Sequence, residues 1–566
     1  MIKIWQIGNT GVRNPMRIQE ALRVYADSNL VGKIRTVLGC KALMQLLHSR
    51  GVLKNQSGND SLGSYGRKWR LVFNKNGFTY NPPIRGQSHS DPVDELTPFG
   101  KTFLEATTVP AIQECFLRSM SMMMEPLESE KAFSPLRWTL AVMLAVEKRT
   151  GDNTISFIEF ATQVQTSNPE QDIEKIVDSI LKIRRERNAS SAKRKYDKRL
   201  FERLGSNYKG KAANFSEYGD MNLRYLRATG IVKSRGKGIV IVAEKHELAK
   251  HLAKDLTTDE PLLLKRKKLY DGPSLPTDGE TVAREILQNL EQQLKDKGIE
   301  YDAIDYATLT TAASINNERY RLEEILSQNE EEVYAKDQKN RWSEIADYME
   351  LIIKRKNSKV YDDDTEISVP KEEASAYLEW CLWRAFLAMN TLKNKPYNVR
   401  RFKVDQDFFP VGTAPGNGPD LIAEYENFAI VIEVTLSDNS RQEAMEGEPV
   451  RRHVADTGIS LRKPTYGLFV ANHVDTNTAE TFRIGTWYTR EDVRTRLDIL
   501  PMTLRQFKDY FVSVFSSGTH SNGEIVDFMK ECVAERDAYE APEWKKRIAV
   551  KVSSFKDKCT ESKHEA

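Results

Sequence analysis

The chain has 566 residues, room for three or four domains at about 150 residues each. Hydrophobic residues make up 40% of it, enough for a buried core in every domain, and no run approaches the ~18 apolar residues needed to cross a membrane, so a helical membrane protein is excluded. Its five cysteines (Cys40, Cys115, Cys381, Cys532, Cys559) never form CxxC, which argues against a disulfide framework and a zinc knuckle. The formal net charge of +3 says little by itself.

Met1-Ile2-Lys3-Ile4-Trp5 lacks the apolar stretch and small-residue cleavage site of a signal peptide, so an intracellular location is expected. Residues 17–27 and 35–53 read as helices, the second with Leu38, Leu43, Leu46 and Leu47 at helical spacing. The run 67–73 reads as a strand, Asn74-Lys75-Asn76-Gly77 as a turn, and Phe78-Thr79-Tyr80 as the returning strand. Thr97 then caps a helix opened by Pro98. Helices, a hairpin and another helix are the order of a winged helix.

A second such unit is expected in 136–255. Helical runs cover 135–148 and 170–187, and 222–229 reads as a short helix. Residues 230–233 and 239–243 read as a hairpin about the turn Ser234-Arg235-Gly236-Lys237-Gly238, and 247–256 is helical again. Charge concentrates here: residues 182–237 hold 17 Lys and Arg against 5 Asp and Glu, a surplus of 12, so the rest of the chain is net acidic. Such a stretch draws in a polyanion. A charge run is ordinarily a solvated helix face, but Tyr196, Phe201, Tyr208 and Tyr225 are interleaved with these cations, which favours nucleic acid. Lys233, Arg235 and Lys237 suit a wing that touches phosphates, or an ordinary solvated hairpin.

The breakers Asp271-Gly272-Pro273-Ser274-Leu275-Pro276 mark a boundary, and 279–356 is Glu-, Lys- and Leu-rich with helical period. The expected division is 1–270 for recognition (two winged-helix-like subdomains, about 1–130 and 131–270), 271–368 for a helical linker, and 369–566 for chemistry. In the last part 372–390 reads as a helix, 419–423 and 428–435 as strands joined by Glu424-Tyr425-Glu426-Asn427, 441–462 as a helix, 466–471 as a buried strand, 476–484 as a short helix and 498–502 as a last strand. The tail beyond about 556 is expected to fray. The fold class is therefore mainly α with an α/β domain at the C-terminus.

Alternation along 428–435 puts Phe428, Ile430, Ile432 and Val434 on one face and Ala429, Val431, Glu433 and Thr435 on the other. Glu433 is thus a carboxylate in a strongly apolar strand, and a short hairpin brings Asp420 to it. Two close carboxylates repel each other unless a proton or a cation neutralises them. Mg²⁺ takes one or two such carboxylates plus water and phosphate oxygens, and can activate water and stabilise charge developing on a phosphodiester. Glu379, on the preceding helix, can add a third acid. The plain alternative is a turn-forming Asp420 and a strand-edge Glu433.

Two other signals fail. Gly205-Ser206-Asn207-Tyr208-Lys209-Gly210-Lys211-Ala212 nearly matches a P-loop, but Ala212 stands where the magnesium-binding hydroxyl belongs. His246-Glu247-Leu248-Ala249-Lys250-His251 resembles a zincin helix with its second histidine one residue late, off the required face.

Pro419-Asp420…Glu433-Val434-Thr435 has the layout of the PD-(D/E)xK nuclease motif, with Thr435 in place of the usual lysine. Ala414-Pro415-Gly416-Asn417-Gly418-Pro419-Asp420, then Glu433-Val434-Thr435, then Glu446-Gly447-Glu448-Pro449-Val450-Arg451-Arg452-His453 resembles the AlwI family of type IIS restriction and nicking endonucleases. The helix Glu379-Trp380-Cys381-Leu382-Trp383 and the boundary Gly272-Pro273-Ser274-Leu275-Pro276 are similar too, so the resemblance spans most of the chain.

The resemblance implies a bacterial, cytoplasmic enzyme that recognises a short asymmetric DNA site and cuts a few base pairs outside it with Mg²⁺, leaving 5′-phosphate ends, beside a cognate DNA methyltransferase. Asp420 and Glu433 match the metal-binding acids, Glu379 the helix acid, and Glu446 and His453 the additional active-site acid and histidine. The last two lie seven apart, two turns along one face of an expected helix. Arg451 and Arg452 can instead bind the scissile phosphate. Candidate DNA contacts are Arg67, Lys68, Lys193, Arg194, Lys195, Arg224, Arg227, Lys233, Arg235 and Lys237. Double-strand cutting by a transient homodimer, single-strand nicking, a large subunit that needs a small nuclease subunit, and a non-catalytic DNA-binding regulator all stay open.

Overall fold

In the computed structural model, residues 2–53, 63–83, 91–361, 365–389, 391–438, 441–489, 491–517 and 524–565 are described. Ser64–Lys75 is an α-helix, not the strand expected at 67–73. It buries Gly66, Trp69, Val72 and Phe73, positions three and four apart that form one helical face. Gly66 permits the packing, since a Cβ there would lie 1.9 Å from the carbonyl oxygen of Cys40 on the helix Val37–Ser49. Burial of one helical face outweighs the strand preference of aromatic and branched residues. Phe78-Thr79-Tyr80 pairs antiparallel with 94–97 instead, through Tyr80 N–H to Glu95 O at 3.0 Å, Asp94 N–H to Tyr80 O at 2.9 Å and Thr97 N–H to Phe78 O at 3.1 Å, so the hairpin expected between 67–73 and 78–80 is not formed. The cap downstream is as expected: Thr97 Oγ1 accepts the Gly100 N–H at 2.8 Å, and Pro98 opens the helix Pro98–Glu105.

The second expected hairpin is present. Val232–Arg235 pairs antiparallel with Gly238–Ile241, and Gly236 takes φ +58 at the turn. The helix before it is longer than expected, Ala213–Ala228, because Phe215, Gly219 and Asn222 extend the buried face of Leu226 towards the N-terminus. Asn222 ties that helix to the chain start: it accepts the Ile7 N–H at 3.0 Å and donates to the Trp5 carbonyl at 3.0 Å. Residues 205–212 run from a helix end into a turn, with no strand leading in. His246 meets Glu147 at 2.7 Å and His251 meets Glu285 at 3.1 Å, so each histidine has its own carboxylate partner.

The chain forms two compact units, Met1–Leu326 and Ser327–Ala566. The span 271–368, expected as one linker, is shared between them. Glu280–Asp296 buries Ile286, Leu287, Leu290 and Leu294 within the first unit. Trp342–Ile353 buries Ile345, Tyr348 and Met349 within the second.

The second unit is built on a four-stranded sheet in the order Ile499–Thr503, Thr465–Ala471, Ala429–Thr435, Leu421–Glu424. The first three strands are parallel and the last is antiparallel. One face carries Ile430, Ile432, Leu468, Val470 and Leu500 into a core shared with the helix Ala374–Met389. The other carries Val431, Phe469 and Ile499 against Val450 and Val454 of the helix Glu448–Leu461. Helices on both faces explain why the strand Ala429–Thr435 is apolar on both sides. Asn390, the expected last residue of the first helix, lies outside the described residues. The tail does not fray at 556 as expected: Ala541–Glu565 is helical, anchored by the buried Trp544, Ile548 and Val552. Among the described residues no helix is long and apolar enough to cross a membrane.

Candidate active site

The antiparallel register pairs Leu421 with Ile432, which sets Asp420 beside Glu433 at the end of the hairpin. Asp420 Oδ2 accepts the Val434 N–H at 2.9 Å. Glu433 shares its face with Val431 and pairs in register with Phe469, so it points at the helix Glu448–Leu461. There Glu433 Oε1 meets His453 Nδ1 at 2.5 Å, and both residues are buried. His453 Nε2 is also buried and has no hydrogen-bond partner among the described residues. Glu446 is half-buried, and the Thr435 hydroxyl bonds its carboxyl.

These groups feel one another. Burial pushes the Glu433 carboxyl up to about 8, with the charge of Glu446 adding to the rise. Burial also raises Asp420, and the repulsion of Glu433 raises it further. Glu446 is raised by burial. His453 is lowered, first by burial and then by the nearby charge of Arg452. A buried acid that is hard to ionise, against an imidazole that is hard to protonate, favours one shared proton over an ion pair.

Glu379 is held differently. It is buried in the helix Ala374–Met389, and its Oε2 accepts the Ala414 N–H at 2.7 Å, which anchors the loop leading to Asp420. Among the described residues no three His, Cys, Asp or Glu make a ready cage for a metal ion. What the cluster offers is a half-built set of hard oxygen donors whose burial and mutual repulsion disfavour ionisation while no cation is bound.

Glu446 does not lie on a regular helix with His453. It sits in a π-helical turn, Glu443–Gly447, and the α-helix begins at Glu448. The wider turn changes the phase, yet Glu446 and His453 still couple electrostatically. Arg451 is tied to backbone, donating to Gly447 O at 3.0 Å and Thr486 O at 3.2 Å. Arg452 pairs with Glu448 at 3.0 Å, and its charge reaches both Glu433 and His453. One cation escaped sequence reasoning: the charge of Arg401 also bears on Glu433 and His453. The available signal was the pair Arg400-Arg401 ahead of the glycine-rich loop.

The candidate DNA contacts lie on separate elements of the first unit. Arg67 is exposed, and Lys68 lies 4.7 Å from the Tyr65 ring centroid on the same helix. Lys193, Arg194 and Lys195 form the first turn of Lys193–Gly205, with Arg194 and Lys195 exposed. Arg224 pairs with Asp220 at 3.0 Å. Arg227 Nη1 donates to Ser234 Oγ at 2.5 Å, locking its helix to the hairpin. At the hairpin tip Arg235 and Lys237 are exposed, Lys233 is half-buried, and Arg235 lies 3.5 Å from Asp152.

No match is found among curated proteins. Among solved structures, the small subunit of the heterodimeric restriction endonuclease R.BspD6I is similar over 37% of this chain and 98% of its own, at 25% identity and a TM-score of 0.29. The BpuJ1 endonuclease binding domain, solved with pyrene- and phenanthrene-modified DNA, is similar over 44% of this chain and 88% of its own, at 13% identity and a TM-score of 0.29. At those scores neither likeness bears on the argument. The sequence model of one family, the AlwI restriction endonucleases, matches residues 77–510, which include Asp420, Glu433, Glu446 and His453. The chain belongs to the AlwI restriction endonuclease family and is a site-specific endonuclease.

Proposed function

We propose that this restriction endonuclease is of type IIS. Its N-terminal unit holds a short asymmetric double-stranded DNA site, and its C-terminal unit hydrolyses phosphodiester bonds a few base pairs outside it. The observation that carries the cutting half is the cluster of Asp420, Glu433 and Glu446, its carboxyls all raised, with the buried His453 Nε2 left unpartnered. Such a cluster costs stability and is explained by a ligand that removes the cost.

Mg²⁺ fits that donor set. It prefers hard oxygens, needs only one or two protein carboxylates, and fills its other positions with water and phosphate oxygens. Asp420 and Glu433 would hold it, with Glu379 steadying the adjoining loop. When bound, the ion supplies positive charge to the phosphodiester and acidifies water. The chain's own groups do the rest. Glu433 fixes the ring of His453 through Nδ1, and Thr435 fixes Glu446. Glu446 and His453 are then placed to take the proton of the attacking water. The water oxygen bonds to phosphorus, the bond to O3′ breaks, and the 3′ oxygen takes up a proton, leaving 3′-hydroxyl and 5′-phosphate ends.

On the recognition side, Lys193, Arg194 and Lys195 stand at a helix N-terminus, where the helix dipole disfavours cations. Phosphates laid across them would relieve that repulsion, and Arg235 and Lys237, exposed at the hairpin tip, offer further phosphate contacts. A host that carries such an enzyme needs a methyltransferase to protect its own sites.

One alternative has a specific observation in its favour. Among the described residues there is one such carboxylate cluster, and one cluster cuts one strand at a time. A double-strand product therefore calls for a second nuclease unit, from another copy or from a small subunit.

Supercoiled plasmid incubated with the protein, in Mg²⁺ or in EDTA, tests the reading. Discrete Mg²⁺-dependent fragments that Asp420→Ala and Glu433→Ala fail to make are expected. Open circles without linear product would identify a nicking enzyme or one that lacks a subunit. Cutting retained by both variants would remove the site from its assigned role.

A further inference from the structure

The cation that usually follows the second motif acid is absent, since Thr435 occupies that place and bonds Glu446. We propose that Arg401 supplies it, binding the scissile phosphate from a neighbouring segment of chain. The proposal rests on the nuclease reading above.

The backbone places Arg401 at the site. Its N–H donates to the Asp420 carbonyl at 3.2 Å, and Arg400 forms an antiparallel bridge with Leu421. In this extended segment successive side chains diverge. Arg400 turns to the buried Glu331, at 2.7 and 2.8 Å. Arg401 goes the other way, and its charge is felt by Glu433 and His453.

The guanidinium rests on neutral acceptors, Asn417 Oδ1 at 2.8 Å and the Pro419 carbonyl at 3.4 Å. Among the described residues it has no carboxylate partner, unlike Arg400 or Arg452. Gly418 explains part of the glycine-rich loop, because a Cβ there would lie 2.0 Å from Arg401 Nη1. The loop thus holds the guanidinium against the residues just before Asp420 and within electrostatic reach of Glu433, and a planar fork of N–H groups matches phosphate oxygens.

The rival is a loop clamp, in which Arg401 merely holds 417–419 in place. Single-turnover cutting by the full chain in Mg²⁺, with DNA binding measured in EDTA, separates the two. Arg401→Ala is expected to slow cutting by about 100-fold, as when one preorganised electrostatic contact is lost, while DNA affinity and melting temperature hold. Arg401→Lys keeps part of the rate, and added methylguanidinium restores part of the Arg401→Ala rate but none to Glu433→Ala. Gly418→Ala, which displaces the guanidinium, slows cutting in the same direction. Wild-type cutting by Arg401→Ala overturns the proposal. So does a loss that neither lysine nor methylguanidinium relieves. Wild-type cutting by Glu433→Ala would instead overturn the nuclease site itself.

Discussion

Each unit has a carboxylate sunk among charged neighbours, and the two are treated in opposite ways. In the first unit Glu114 lies 2.8 Å from Arg118 and 3.1 Å from Arg319, and it accepts the Tyr320 hydroxyl at 2.5 Å. Burial pushes its carboxyl up, but the two guanidinium groups more than offset that, and it ends below the ordinary range. In the second unit burial raises Glu433 to about 8, with Glu446 adding to it, and among the described residues no lysine or arginine makes a close pair with it. The first cluster is complete without a ligand and serves the fold. The second is left incomplete, which is what the proposed nuclease site calls for.

Four measurements can break or sharpen that contrast. The largest effect is expected from Asp420→Asn, which keeps the acceptor for the Val434 N–H and removes the charge. Cutting should fall by about 10³-fold or more, while urea denaturation shows a folded protein of undiminished stability. A loss of both together would mean that Asp420 is structural. Next, Arg319→Met takes one of the two guanidinium partners from Glu114 and should destabilise the first unit by about 1–3 kcal/mol. Adding Glu114→Gln should return much of this, with cutting at low temperature preserved throughout.

A smaller effect of opposite sign is expected from Glu433→Gln. A carboxyl raised in the folded state costs stability as pH climbs from its ordinary 4.5 towards 8. Without metal at pH 8 the variant should melt ~2–4 °C higher than wild type. Mg²⁺ should then stabilise the wild type and leave the variant unmoved; equal responses would separate the metal from Glu433. The smallest effect belongs to Glu350, a satisfied acid within the second unit. Hydrogen bonds from Lys354 and Lys508 draw its carboxyl from 4.5 to about 2. Its contribution is present above pH 4.5 and is lost as pH falls towards 2. Glu350→Gln should flatten that stretch of the acid-unfolding curve and cost under about 1 kcal/mol at neutral pH.

The C-terminal site was legible wherever chemistry is carried by strand alternation. Glu433 faces away from Ile430 and Ile432, as the period of two requires, and the helix at Thr476–Ile484 matches its expected bounds. Local reading failed at 67–73, where β-prone residues also carry a helical burial pattern. It also missed the π-helical turn Glu443–Gly447, whose widening leaves no mark in hydrophobic spacing. The span 271–368, read as one linker, is divided between the two units for a related reason. Helical period reveals that Glu280–Asp296 and Trp342–Ile353 are amphipathic, but not which core each face joins.

The residues alone therefore determined that two acids flank a short hairpin, that one lies in a strand apolar on both faces, and that the motif lysine is missing. Those properties are local, set by side-chain period and chain direction. Only the tertiary structure decided that His453 reaches Glu433, that Glu379 holds the adjoining loop, and that the charge of Arg401 bears on Glu433. Those contacts join residues 20 to 35 positions apart in the chain, such as Glu433 with His453 and Glu379 with Ala414. Packing of helix on sheet brings them together, and spacing along the sequence does not encode it.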